Sequence, residues 1–264
     1  MTAPAFVWLG GEVHVEVVIG VVLLAGGYTW ATVASRRPTS LGPPAAFFSG
    51  CAALLLALNG PLHDLSDYYL FSAHMVQHLV LMLLVAPLWL AGTPGWMLDA
   101  LLERAASVPG LAAAVRWLTR PLPAFATFGV ATVVWHLPGP YNAALETHAW
   151  HVFEHVVLLG AALVGWWPIL SDSARLPALP YAGQLLYLFV FGMPMTVVAA
   201  MVTAAEEVLY PFYAAAPRVF DVTPLADQRL GGLIMWVPAG IIPVVAFTVV
   251  FFRWAAAERE VDTV

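Results

Sequence analysis

Lysine is absent from this 264-residue chain, cysteine occurs once, and charged residues make up 10 % of it, against roughly a quarter in ordinary soluble domains. Each scarcity excludes something. The ten basic residues are all arginines, scattered singly or in one pair, and the net charge is −6, so there is no basic stripe to neutralise a phosphate backbone and no nucleic acid is expected as partner. Cys51 alone can form no internal disulfide, and the paired-cysteine spacings of zinc fingers and iron–sulfur proteins are missing. So little polar surface cannot cover a soluble monomer.

What is abundant is apolar sequence, 61 % of the chain. A bilayer crossing takes about 20 residues, so six or seven crossings would use roughly half the chain and leave only short connections. Apolar windows predict spans near 15–34, 45–62, 70–91, 121–137, 148–169, 181–203 and 230–252. The expectation is a single all-α domain over 1–264, a seven-helix membrane bundle. Between Gly95 and Trp117, Asp99, Glu103, Arg104, Pro109 and Arg116 break the apolar run, which reads as interfacial helix and loop. Pro/Gly clusters such as Gly42-Pro43-Pro44 and Leu137-Pro138-Gly139-Pro140 fall between the windows. No cleavable signal peptide is expected, because the first 14 residues carry no Arg or Lys and Glu12, His14 and Glu16 interrupt the apolar run.

Arginine placement predicts orientation. Eight of the ten (Arg36, Arg37, Arg104, Arg116, Arg120, Arg175, Arg253 and Arg259) fall in one alternating set of connections and tails, leaving Arg218 and Arg229 with most of the loop acids in the other. The positive-inside rule then puts the amino terminus outside and the carboxyl terminus in the cytoplasm.

All eight histidines fall at the end of the spans that this orientation places outside. His14 starts the first span, His63 ends the second, His74 and His78 open the third, His136 closes the fourth, and His148, His151 and His155 open the fifth. His74/His78 and His151/His155 are i, i+4 pairs, each on one helix face at about 6 Å axial separation, and His148 extends the second stripe by a turn. Two facing pairs can supply four nitrogen ligands to a metal. The plainer reading makes some of them interfacial hydrogen-bonders, above all His14 and His63.

His151-Val-Phe-Glu154-His155 also matches the H-x-x-E-H string of a zinc protease class, a short match in a histidine-rich helix. Met75, Met193, Met195, Met201 and Met235 could bias a nitrogen site toward Cu(I) but fit packing as well. Among the acids, Asp64, Asp67, Glu154, Glu206, Glu207 and Asp227 can be ligands, acceptors for histidine N–H groups, or solvated helix ends; Glu154, inside a span, needs a partner or water. Trp135, Trp150, Tyr141, Tyr210 and Tyr213 fit an aromatic belt at the interface.

The stretches His74-Met-Val-Gln-His78, Trp135-His136-Leu-Pro138, Pro140-Tyr141-Asn142-Ala-Ala-Leu145, His148 to His155 with Trp166-Trp167-Pro168, and Asp227-Gln-Arg-Leu-Gly231 through Met235-Trp236 resemble the polytopic CtaG-type cytochrome c oxidase assembly factors of bacteria, from about residue 60 to 250. The resemblance implies a plasma-membrane protein that matures heme–copper oxidase by handling copper, with oxidase subunits and a periplasmic copper donor as partners. It assigns function to His74, His78, His136, His148, His151 and His155, with His63, Asp64, Glu154, Asp227 and Met235 as additional or supporting residues. His14 and the first span match nothing in it. Two other classes stay open: a b-type heme protein ligated by paired histidines, and a membrane hydrolase using zinc and Glu154.

Overall fold

A computed structural model describes residues 6–8, 10–37 and 40–262, and all regular structure among the described residues is helical. Helix α1 (Val15–Ser35) precedes α2 (Gly42–Ala57) and the short α3 (Pro61–Tyr68). Then come α4 (Phe71–Gly92), α5 (Gly95–Ala106), α6 (Leu111–Leu118), α7 (Pro121–His136) and α8 (Pro138–Glu146). The chain continues through α9 (His148–Leu170), α10 (Tyr181–Ala204), α11 (Pro211–Ala215) and α12 (Pro224–Asp262). Among the described residues, five helices, α1, α4, α9, α10 and α12, are long and apolar enough to cross a membrane, and the number reaches seven if α2 with α3 and α7 with α8 each count as one bent span. Those pairs bend by 50° and 72°. Both bends fall where Pro61 and Pro138 open a new helix, because proline lacks the N–H that would continue the preceding ladder.

Among the described residues the interior has two apolar clusters. The larger joins α4, α7, α9, α10 and α12 through Phe71, Met82, Phe128, Leu158, Trp166, Phe191 and Met235. The smaller holds α1 and α2 to α4 through Val21, Tyr28, Phe47, Cys51, Leu54 and Leu81. Here α2 and α4 touch backbone to backbone: a Cβ on Gly92 would collide with the main chain of Phe47, and the Tyr28 hydroxyl donates to the Gly92 carbonyl at 2.9 Å. Helix α4 contains one wide π-turn at Leu81–Val85. At that turn the Met82 carbonyl accepts the Trp166 indole N–H at 3.0 Å, tying α4 to α9.

The end of the bundle away from the histidines is closed by the loop after α9. Asp99 of α5 accepts from the Ser173 hydroxyl at 2.5 Å and from the backbone amides of Ala174 and Arg175. The Ser173 bond, followed by those amides, holds the Asp99 carboxyl below its ordinary range.

Candidate metal centre

Two helices carry the core of the site. On α4, His74 and His78 share a face four residues apart; on α9, His151, Glu154 and His155 share another at i, i+3 and i+4. Packing α9 against α4 turns these faces together. One ligand atom each from His74, His151, Glu154 and His155 lies within 4.8 Å of all the others, and all four side chains are buried. The Nε2 atoms of His151 and His155 and both carboxylate oxygens of Glu154 have no hydrogen-bond partner. A buried ionised carboxylate without a hydrogen-bond partner costs several kcal/mol, which either a proton or a bound cation offsets. The group therefore fits a metal ion: three imidazole nitrogens and one carboxylate oxygen, a donor set suited to Cu(II) or Zn.

Proton arithmetic gives an independent reason. A chain of five contacts runs from the Ser66 carbonyl to Tyr213 Oη (2.6 Å), to His74 Nδ1 (2.9 Å), across His74 Nε2 to His78 Nε2 (2.8 Å), from His78 Nδ1 to His136 Nε2 (3.3 Å), and from His136 Nδ1 to the Thr132 carbonyl (2.6 Å). Both ends are carbonyls and can only accept. Burial pushes the Tyr213 phenol well above its ordinary range, so it stays protonated and donates to Ser66. His74 must then donate from Nδ1 to Tyr213, and His136 from Nδ1 to Thr132, which leaves His78 to donate from Nδ1 to His136. Three neutral imidazoles and one phenol supply four protons for five contacts. The unprotonated Nε2 lone pairs of His74 and His78 are left facing each other, 2.8 Å apart, a pairing that one added proton or a bound metal ion relieves. Glu154 Oε1 stands 3.7 Å from His78 Nε2 at the same point.

The supporting shell orients these ligands. Asp67 Oδ2 is 3.2 Å from His151 Nδ1 and 3.3 Å from His63 Nε2. A carboxylate on Nδ1 fixes the tautomer that leaves Nε2 free for a metal. Gln77 donates to His63 Nδ1 at 3.1 Å and to the Ala57 carbonyl at 2.9 Å, locking the His63 ring. Tyr213 reaches His74 from α11, the short helix between α10 and α12.

The six histidines expected at one site divide into layers. His74, His151 and His155 converge with Glu154, and His78 adjoins them through His74. His136 lies one imidazole further back, on His78. His148 is not in the group: it is about half exposed and bonds Glu16 at 3.2 Å. Asp64 accepts from the Glu12 amide at 3.0 Å. Asp227 caps α4, accepting from the amides of Phe71 (2.8 Å) and Ser72 (3.2 Å) and the Ser72 hydroxyl (2.5 Å). Met235 packs in the larger apolar cluster.

Four of the five aromatic residues expected in an interfacial belt are interior instead. Tyr141, Tyr210, Tyr213 and Trp135 are buried, and Trp150 alone is exposed, at 54 %. Tyr141 and Tyr210 pack ring to ring at 4.4 Å beside the histidines, and Tyr210 donates to the His136 carbonyl at 2.8 Å. Gln77 and Tyr213 carried no site signal in the sequence; the nearest cue is that Gln77 interrupts an apolar run between two histidines.

A model of the cytochrome c oxidase caa3 assembly factor (Caa3_CtaG) family matches residues 26–257. The chain belongs to this family. Among curated proteins, the chain is similar to the uncharacterized proteins Mb0105 of Mycobacterium bovis and MT0111 of Mycobacterium tuberculosis, each 25 % identical over 256 residues, and to ML1998 of Mycobacterium leprae, 23 % identical over the same length. Each alignment covers 91 % of this chain but 38 % of the relative, so the chain spans well under half the length of the curated proteins it matches. No solved structure gives a significant match.

Proposed function

We propose that this Caa3_CtaG protein holds a copper ion in its buried His74–His151–Glu154–His155 group and passes it to a heme–copper oxidase during assembly. The observation that carries the reading is the convergence, within 4.8 Å, of four buried ligand groups, three of which present atoms with no hydrogen-bond partner. Copper is cargo here: imidazole and carboxylate bind it firmly yet exchange ligands, which a donor protein requires. The arginine asymmetry supports an extracytoplasmic site in a bacterial plasma membrane, reached by a periplasmic copper donor and facing oxidase subunits at similar depth. Neighbouring rings of His74, His78, His151 and His155 have centroids 4.3–5.8 Å apart, a spacing that favours one ion over a porphyrin inserted between them. Elemental analysis and a visible spectrum of the purified protein test the reading together. Copper without a Soret band is expected; heme would move the function to electron transfer, and zinc with hydrolysis abolished by Glu154→Gln would make it an enzyme.

A further inference from the structure

A second cluster of ligating side chains lies at the mouth of the same end of the bundle. Glu16 Oε1 is 3.1 Å from His14 Nδ1 and 3.2 Å from His148 Nε2, and the two imidazole rings stack at 5.2 Å. The ligand atoms of these three residues lie within 4.8 Å of one another. Unlike the buried group, His148 and Glu16 are half exposed, with side-chain exposures of 51 % and 54 %.

The segment that brings His14 there is pinned in place. The His14 amide donates to Asn59 Oδ1 at 2.7 Å, the Gly60 amide to the Glu12 carbonyl at 2.9 Å, and the Glu12 amide to Asp64 at 3.0 Å. Gly11 has φ +119 and lies so close to Gly60 that any Cβ would collide with it. His14 is thereby preorganised over the α2–α3 bend, and its Nε2 lies 2.5 Å from His63 Nε2.

A connection inward is also built. A cavity of about 340 Å³ is lined by His14, His148, His63, His151 and His155 among others, so it touches both clusters. Another, about 390 Å³, brings Glu16 and His148 to Asp67 and His151. From His63 the polar groups continue through Asp67, 3.3 Å away, to His151, 3.2 Å further on. His14 and Glu16 precede residue 26, where the family match begins.

We propose that His14, Glu16 and His148 form a second, shallow metal site for a divalent copper ion, an intake point from which the ion moves by ligand exchange past His63 to the buried group. The transfer step rests on the copper reading above; the binding itself does not. Two imidazole nitrogens and one carboxylate oxygen, open to water for the remaining positions, make a site that loads readily and releases readily. A buried site with four protein ligands does neither quickly, which is why an exposed first stop is useful.

The test is equilibrium dialysis of the full chain in detergent against Cu(II), with copper counted per chain and monitored by electron paramagnetic resonance. The variants are Glu16→Gln combined with His148→Ala for the shallow site, His14→Gln as a milder change, and His151→Ala for the buried one. Wild type should bind two equivalents with distinct spectra. The shallow double variant should lose one equivalent and, in a time course of copper uptake followed by the same spectra, fill the other more slowly; His14→Gln should weaken the shallow equivalent by at least about 10-fold, and His151→Ala should keep it. Two equivalents retained in the shallow variants would overturn the proposal while leaving the buried site standing. Copper lost from the shallow variants but unaffected by His151→Ala would support the shallow site and sink the buried one. No copper bound by wild type would overturn both.

Discussion

Asp67 and His151 are joined by a 3.2 Å contact between a carboxylate oxygen and Nδ1, and it is the other nitrogen of that ring, Nε2, that stands unpartnered among His74, Glu154 and His155. A short helix packed on α4 thus aims a ligand on α9. Replacing Asp67 by Asn removes the charge that holds the tautomer while keeping the shape. The expected result is a folded protein whose copper affinity falls by about 10- to 100-fold in a competition titration. Unchanged affinity would show that His151 needs no orienting carboxylate.

Glu154→Gln has opposite expected effects with and without metal. In the apo protein it removes a buried carboxylate with no hydrogen-bond partner, so the melting temperature holds or rises. With copper at 100-fold over the wild-type dissociation constant, wild type gains about 2.7 kcal/mol of stability from binding, and the variant loses most of that gain. Differential scanning fluorimetry with and without copper measures both signs, and an equal metal-induced shift in the two proteins would take Glu154 out of the ligand set.

Tyr213→Phe deletes one hydroxyl that serves three neighbours, the Ser66 carbonyl, His74 Nδ1 and the Tyr141 hydroxyl. Orphaning such buried groups costs about 1–3 kcal/mol. Unfolding in detergent should register that loss, together with weaker copper binding as His74 is released. A variant as stable as wild type would mean the phenol does not donate to the Ser66 carbonyl.

Asp227 separates capping from ligation. Asp227→Ala removes the acceptor for two backbone amides at the start of α4, a loss of about 0.5–2 kcal/mol, and copper stoichiometry should be unchanged because the carboxylate faces Phe71 and Ser72. Loss of one copper equivalent with stability intact would reverse that assignment.

The long helices were legible because crossing a bilayer demands uninterrupted apolar sequence: the windows 70–91, 148–169 and 181–203 correspond to Phe71–Gly92, His148–Leu170 and Tyr181–Ala204. The window 45–62 ran through Asn59-Gly60, where the chain bends by 50°. Hydropathy does not register such a bend, whereas the Gly60-Pro61 pair, with Gly60 at positive φ, does. Helix spacing correctly put His151 beside His155 and His74 beside His78. It did not separate His148, because an i, i+3 stripe cannot tell which of its members the next helix covers. Tyr213 fits an aromatic belt at the outer interface by sequence alone, and nothing local signals that the 205–223 connection folds inward onto His74.

The coordination of bound copper tests the central claim most directly. X-ray absorption on the copper-loaded Glu16→Gln, His148→Ala protein, in which the buried group is the remaining site, should show imidazole nitrogens with an oxygen donor and no sulfur, and should lose an imidazole when His155→Ala is added. Sulfur in that shell, or an imidazole count that His155→Ala leaves untouched, would contradict a metal centre built from His74, His151, Glu154 and His155.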